Sequence, residues 1–202
     1  GQNTILVYGG ANMTLSATDV EMSAEAFIGA DFVVAQLEVP FEAIEQAFKI
    51  ARKQNITTVL NPAPAIELPK SLLELTDIII PNETEAELLT GISINNESDM
   101  KETATYFLDL GISAVLITLG EQGTYCAYQE QYKMIPACNV KAVDTTAAGD
   151  TFIGAFLSEL NKDLSNLESA IRLANQASSL TVQRKGAQAS IPTRKEVEAE
   201  YN

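Results

Sequence analysis

Apolar residues along the chain fall into two alternating patterns, short β-branched runs and stretches with a helical period. Thr4–Tyr8 (TILVY), Phe32–Leu37 (FVVAQL), Thr57–Leu60 (TTVL), Asp77–Ile80 (DIII) and Ala114–Thr118 (AVLIT) are continuous apolar runs of strand length, as expected of strands buried on both faces. Between them, Phe41–Gln54 places Ile44, Ala47, Phe48 and Ala51 at i, i+3, i+4 and i+7, one face of a helix. Helices are also expected near Asp19–Ile28 and over Thr84–Thr90 and Met100–Leu110. Thr124–Tyr128 and Gln131–Ile135 flank a short turn and read as a hairpin. From Ala147 the pattern turns wholly helical, over Ala147–Leu160, Asn166–Gln183 and Thr193–Tyr201. Strand–helix alternation predicts an α/β fold, a mostly parallel sheet with right-handed crossovers and helices on both faces. No linker, repeat or low-complexity tract interrupts it, so residues 1–202 are expected to form a single domain.

This class of sheet also predicts where chemistry lies, because ligands sit beyond the carboxyl ends of parallel strands. The exits are Gly9–Asn12, Glu38–Pro40, Asn61–Ala65, Asn82–Glu85 and Thr118–Gly123. Pro40, Pro62, Pro64 and Pro81 help to end the strands, since proline lacks the N–H that a ladder needs.

Composition narrows the chemistry. A chain of 202 residues buries roughly 70% of its unfolded surface, enough for a core. Its 27 acids against 13 bases give a net charge of −14, and no base precedes Lys49, which disfavours a duplex-DNA or anionic-membrane surface. No histidine is present, so Ser-His-Asp, Cys-His and His-ligated zinc mechanisms are excluded. Cys126 and Cys138 allow one disulfide, but their number and spacing fit reduced thiols in a cytoplasmic protein better. No apolar run approaches the roughly 18 residues of a membrane span, and residues 1–13 do not read as a signal peptide.

Several segments can carry chemistry, each with a plainer reading beside it. In Asp144-Thr-Thr-Ala-Ala-Gly-Asp150 the small residues Ala147, Ala148 and Gly149 let a ligand approach a helix start, whose N–H groups and dipole favour an anion. Asp150 falls in the first turn, where it can accept a proton; the plainer reading makes Asp144 an N-cap and Asp150 a favourable first-turn acid. Thr118-Leu-Gly120-Glu-Gln-Gly123 is either a nucleotide loop or a tight turn. Asn82 and Glu85 share a helical face, able to reach a Mg²⁺–phosphate cluster or simply to suit a helix start. Arg184-Lys-Gly186-Ala-Gln-Ala-Ser190 offers oxygen ligands for a hard cation, or solvated charges. Glu38 is a ligand group or an exposed acid. Neither the Walker loop nor the Rossmann glycine fingerprint occurs.

In order along the chain, Gln-Leu-Glu38, Asn-Pro-Ala-Pro-Ala65, Pro-Asn-Glu-Thr-Glu-Ala-Glu87, Thr-Leu-Gly-x-x-Gly123, Asp-Thr-Thr-Ala-Ala-Gly-Asp150 and Arg-Lys-Gly-Ala-Gln-x-Ser190 resemble the ribokinase (pfkB) family of sugar kinases. The resemblance implies a three-layer α/β sandwich and ATP-dependent phosphorylation of a sugar's terminal hydroxyl, D-ribose first. The alternatives are another sugar or nucleoside, or an ATP-binding fragment without turnover. It implies Asp150 as base, with Ala147, Ala148 and Gly149 as an anion hole. It assigns Asn82 and Glu85 to Mg²⁺ and phosphates, and Thr118, Leu119, Gly120, Glu121, Gln122, Gly123 and Asn175 to the nucleotide. Asp144, Thr146, Thr181, Arg184, Gly186 and Ser190 are implied to hold an activating K⁺, and Glu38 to touch the sugar. It further implies that an amino-terminal segment bearing sugar contacts and a lid is absent. The expectation is then doubtful turnover by this chain alone and an exposed sheet edge that invites homo-oligomers.

Overall fold

In the computed structural model, which describes residues 8–201, six strands form one sheet in the order β1 to β6. They are β1 (Phe32–Ala35), β2 (Thr57–Leu60), β3 (Ile78–Ile79), β4 (Ala114–Thr118), β5 (Gly123–Tyr128) and β6 (Gln131–Pro136). β1 to β4 are parallel and in sequence order, while β5 and β6 are antiparallel. The sheet is therefore mostly parallel, with a hairpin at one edge. The expected strand at Thr4–Tyr8 lies outside the described residues except for Tyr8, which is exposed.

Parallel neighbours need crossovers, and the helices supply them. After α1 (Ala17–Met22), the sheet is crossed by α2 (Phe41–Lys53), the short α3 (Lys70–Leu73), and α4 (Glu83–Thr90) with α5 (Glu97–Asp109). α6 (Ala148–Glu159), α7 (Leu167–Thr181) and α8 (Arg194–Tyr201) follow the hairpin. Side chains alternate across each strand, and both faces are buried in β2 to β5. Leu60 packs with Ile44 and Phe48 of α2 and Leu72 of α3, while Ile79, Val115 and Ile117 pack with Ala104 and Phe107 of α5. On the other face Val59, Ile78, Ala114 and Leu116 meet Phe152 and Phe156 of α6 and Ile171 and Ala174 of α7. Helices thus lie on both sides of the sheet, as the sequence pattern predicts.

Most boundaries agree with the pattern and the departures have local causes. β2 and β4 match their expected spans, and of the predicted α2 face Ile44, Phe48 and Ala51 are buried. β1 stops at Ala35, which leaves Gln36 and Leu37 beyond the ladder. The pairing at Asp77–Ile80 contracts to Ile78–Ile79, and the Asp77 carboxylate instead accepts from the Thr58 N–H and hydroxyl, both at 2.9 Å. α3 has no counterpart among the expected helices, because one turn is too short to show a period. The weak helix near Asp19–Ile28 resolves into α1 and a 3₁₀ turn over Ala24–Phe27. Both cysteines are free. Among the described residues no helix is long and apolar enough to cross a membrane.

Candidate active site

A cleft of about 1060 Å³ opens at the carboxyl ends of the parallel strands. This is the upper end of the range typical of small-molecule sites, roughly 300–1,000 Å³. Asn61 and Ala63 enter it from the β2 exit, Asn82 to Glu85 from the β3 exit, and Thr118 with Gly120 to Gly123 from the β4 exit. Gln36, just past β1, joins them. The facing wall is the stretch from Ala137 to Val140, the start of α6, and Asn175, Ser178, Ser179 and Val182. Of the five expected exits, three line the cleft. Gly9–Asn12 and Glu38–Pro40 do not, and Glu38 stands exposed outside it.

The start of α6 has an unusual cap. Ala147 occupies the N-cap in the left-handed region (φ 63°, ψ 12°), and its side chain can bond to nothing. The position that favours Ser, Thr, Asp or Asn is thus held by a residue that leaves the helix N–H groups open. Among the described residues, the N–H groups of Gly149 and Asp150 have no partner. Asp150 is the third residue of the helix, exposed, with Oδ1 accepting from Gln36 Nε2 at 3.1 Å.

Asp144 is not the N-cap that the plainer reading makes it. Its Oδ1 accepts from the Thr146 N–H and its Oδ2 from the Gly186 N–H, both at 3.0 Å, so it ties the approach to α6 to the turn after α7. The Val182 carbonyl adds bonds from the Val143 and Asp144 N–H groups at 2.7 and 3.1 Å. The Gly186 N–H first, and then Thr146, hold the Asp144 carboxyl down at about 2. Of the other residues assigned to a cation, the Thr181 carbonyl accepts from the Arg184 N–H at 3.0 Å. The Arg184 side chain turns instead to Glu196 of α8, and the Ser190 hydroxyl donates to the Ala187 carbonyl.

Asn82 and Glu85 form a closed capping box at the start of α4. The Asn82 side chain accepts from the Glu85 N–H at 2.9 Å, while the Glu85 carboxylate accepts from the Asn82 N–H and side-chain amide, both at 2.8 Å. Glu85 is buried, and burial pushes its carboxyl up despite these donors. Asn followed three residues later by Glu is the sequence signature of this box.

At the β4 exit, the Thr118 N–H donates to the Pro81 carbonyl at 2.9 Å, binding two exits together. Leu119 is buried beside Ile117 and Tyr125, so its side chain belongs to the core and not to the cleft. Gly123 has φ 112°, and a Cβ there would lie 2.2 Å from the Ile135 carbonyl, so only glycine fits where the loop meets the hairpin. Asn175 is buried: its Oδ1 accepts from the Thr124 hydroxyl at 3.0 Å and its Nδ2 donates to the Ile135 carbonyl at 3.1 Å. It clasps α7 to the hairpin at the cleft wall.

The cleft is lined by the acids Glu83, Glu85, Glu121 and Asp150, and by no lysine or arginine. An anion entering it is met by backbone N–H groups and side-chain amides. Gln36, Thr124 and the stretch from Ala137 to Val140 are site residues to which sequence reasoning gave no role, and Asn61 it placed at a strand exit without one. A polar side chain at the end of an apolar run, as at Gln36 and Asn61, is the signal that points to them.

An open α/β sheet whose strand exits face an uncapped helix start is an arrangement suited to holding an anion in that crevice. The profile of the pfkB family carbohydrate kinases matches residues 1–194, and the chain belongs to that family. It is 64% identical over 197 residues to a ribokinase of Staphylococcus aureus, covering 98% of this chain and 65% of that protein. It is 44% identical over 195 residues to a ribokinase of Haemophilus influenzae, covering 96% of this chain and 63% of that one. The solved structure of an Arabidopsis thaliana ribokinase complexed with ribose and ATP superposes with a TM-score of 0.87 at 34% identity, over 98% of this chain and 65% of that chain. The chain thus spans about 65% of the length of these relatives.

Proposed function

We propose that the chain supplies the nucleotide site and catalytic base of a kinase that transfers the γ-phosphoryl group of ATP to the terminal hydroxyl of D-ribose. The observation that carries the reading is the start of α6, where the Asp150 carboxylate stands beside the open N–H groups of Gly149 and Asp150 inside the cleft. Phosphoryl transfer asks a protein for alignment and charge stabilisation more than for covalent chemistry. Asp150 accepts the proton of the attacking hydroxyl. The N–H groups behind Ala147 and Ala148 face the charge that spreads over the transferring group, with no histidine needed.

The remaining roles follow from the lining. Asn82, Thr118, Gly120 to Gly123 and Asn175 bound the space for the nucleotide, and Glu38, outside the lining, is the remaining candidate for a sugar contact. Mg²⁺ fits a cleft lined by four acids and no lysine or arginine, because a polyphosphate there needs a cation as partner. Among the described residues no three acidic, cysteine or histidine side chains gather to hold a metal. Mg²⁺ would therefore depend on the nucleotide and water for most of its ligands, with Glu85 and Asn82 the protein groups proposed to help hold it. Bound there, it would neutralise charge on the phosphates. K⁺ would take oxygens of the joined segments 144–146 and 181–190.

The test is ADP formation from ATP with Mg²⁺ and K⁺, measured with and without D-ribose and with other pentoses and nucleosides. Turnover that depends on ribose supports the proposal. ATP binding with no sugar-dependent turnover at the protein's full natural length overturns it in favour of a nucleotide-binding role.

A further inference from the structure

Gln36 is half-buried just past β1, and its side-chain nitrogen lies 3.1 Å from Asn61 Oδ1 and 3.1 Å from Asp150 Oδ1. The direction of these bonds is fixed from the far end. Asn61 Nδ2 donates at 2.7 Å to the Ile80 carbonyl, which can only accept. Asn61 must therefore turn its oxygen to Gln36, and Gln36 must answer with its NH₂. One hydrogen serves Asn61 and the second is left for Asp150. Both amides hang from a backbone that is itself tied down: the Asn61 N–H donates to the Ala35 carbonyl at 2.9 Å and the Leu37 N–H to the Ala63 carbonyl at 2.8 Å.

Three strand exits thus converge, through two amides, on one oxygen of a carboxylate carried by the opposite wall. Asp150 is exposed at the start of α6, where nothing on its own helix fixes the carboxylate rotation. We infer that Gln36 is a positioning residue that orients Asp150 as a proton acceptor, an inference that rests on the role of Asp150 proposed above. It holds Oδ1 and leaves Oδ2, which has no partner among the described residues, for the hydroxyl of the substrate. A neutral amide suits this task because it orients the carboxylate without pairing its charge, as a lysine or arginine would. The relay also links the sheet to α6, so the distance between the two walls is set at the reacting group.

The test compares Gln36→Met, Gln36→Glu and Asp150→Asn at the protein's full natural length. Gln36→Met keeps the length of the side chain and removes the donors. It is expected to lower kcat roughly 10- to 100-fold, the scale of a misaligned reacting group, with KM for ATP unchanged. Gln36→Glu, which sets an acceptor and a charge against Asp150 and Asn61, is expected to lower kcat further. Loss of packing alone would put the apolar variant and the charged one in no such order and would move KM as well. Wild-type kcat in Gln36→Met overturns the inference while Asp150→Asn is inactive; wild-type kcat in Asp150→Asn overturns the proposed role of Asp150 instead. Should Gln36→Met fail to fold, the side-chain amide resonances of Gln36 serve. They are expected to shift in Asp150→Asn, and their constancy overturns the inference.

Discussion

Two helices begin at the same cleft and treat their first N–H groups in opposite ways. At α4 the polar groups are turned on one another: Asn82 caps the Glu85 N–H, and Glu85 returns to the Asn82 N–H and amide. At α6 the cap is an alanine in a left-handed conformation, and the N–H groups of Gly149 and Asp150 are left open among the described residues. Every α-helix starts with four such groups, and a side chain, water or a ligand must satisfy them. A helix that satisfies its own start is scaffold at that end. One that gives up its cap forgoes about 0.5–2 kcal/mol and keeps a site for an anion. The two starts separate what the cleft spends on folding from what it reserves for its ligand.

The largest effect is expected at the open start. Asp150→Asn keeps the shape and removes the proton acceptor, so turnover should fall by about 10²- to 10⁴-fold, the usual contribution of a general base. Calorimetric titration should find ATP binding retained, since the backbone N–H groups are untouched. Gly149→Ala comes next and divides stability from function. A Cβ at Gly149 meets nothing within 4 Å and projects into open space where the residue lines the cleft. Alanine is the better helix former by up to about 1 kcal/mol, so thermal unfolding should shift upward by about 2–4 °C. The methyl group crowds the anion, so ATP affinity should fall about tenfold or more, about 1.4 kcal/mol. Stability and affinity moving together in the same direction would break the contrast between the two helix starts.

The fold is far more legible than the relay within the site, and the reason is range. β2 and β4 match the residues expected of them because a β-branched run closed by Asn-Pro or by glycine is a local pattern. The α2 face is legible for the same reason. α3 is not, since four residues cannot display a period. Within the site, the exits at Asn61, Asn82 and Thr118 follow from the fold class alone, and the Asn82–Glu85 box is written in a three-residue spacing. The bond from Gln36 to Asp150 spans 114 positions and that from Thr124 to Asn175 spans 51. No spacing rule reaches so far. Glu38 shows the converse: a motif drew attention to it, while the cleft is lined by its neighbour Gln36.

The closed start should answer to mutation as scaffold. Asn82→Ala removes the cap and one donor from the buried Glu85 carboxylate, at a cost of about 0.5–2 kcal/mol. Thermal unfolding should fall by about 2–4 °C per kcal/mol, the reverse of Gly149→Ala. ATP affinity should change less than in Gly149→Ala. A larger loss would show that the box opens on binding and that Asn82 meets the phosphates directly.

The smallest effect concerns what holds the open start in place. The Asp144 carboxylate, held near 2 by the Gly186 and Thr146 N–H groups against an ordinary 3.8, binds the approach to α6 to the turn after α7. A carboxyl whose folded value lies below its unfolded one contributes stability only while ionised. That contribution is complete above about pH 4 and is lost as the pH falls from 3.8 towards 2. Hydrogen exchange at the Gly186 and Thr146 amides should therefore show protection that declines across this window, after correction for the intrinsic acid rate. In Asp144→Asn the decline should vanish, because a carboxamide has one oxygen for two N–H donors and opposes the second with its own NH₂. Protection that stays flat from pH 5 to pH 2 in the unaltered chain would move the anchor to the Val182 carbonyl, whose bonds to the Val143 and Asp144 N–H groups carry no charge and feel no titration.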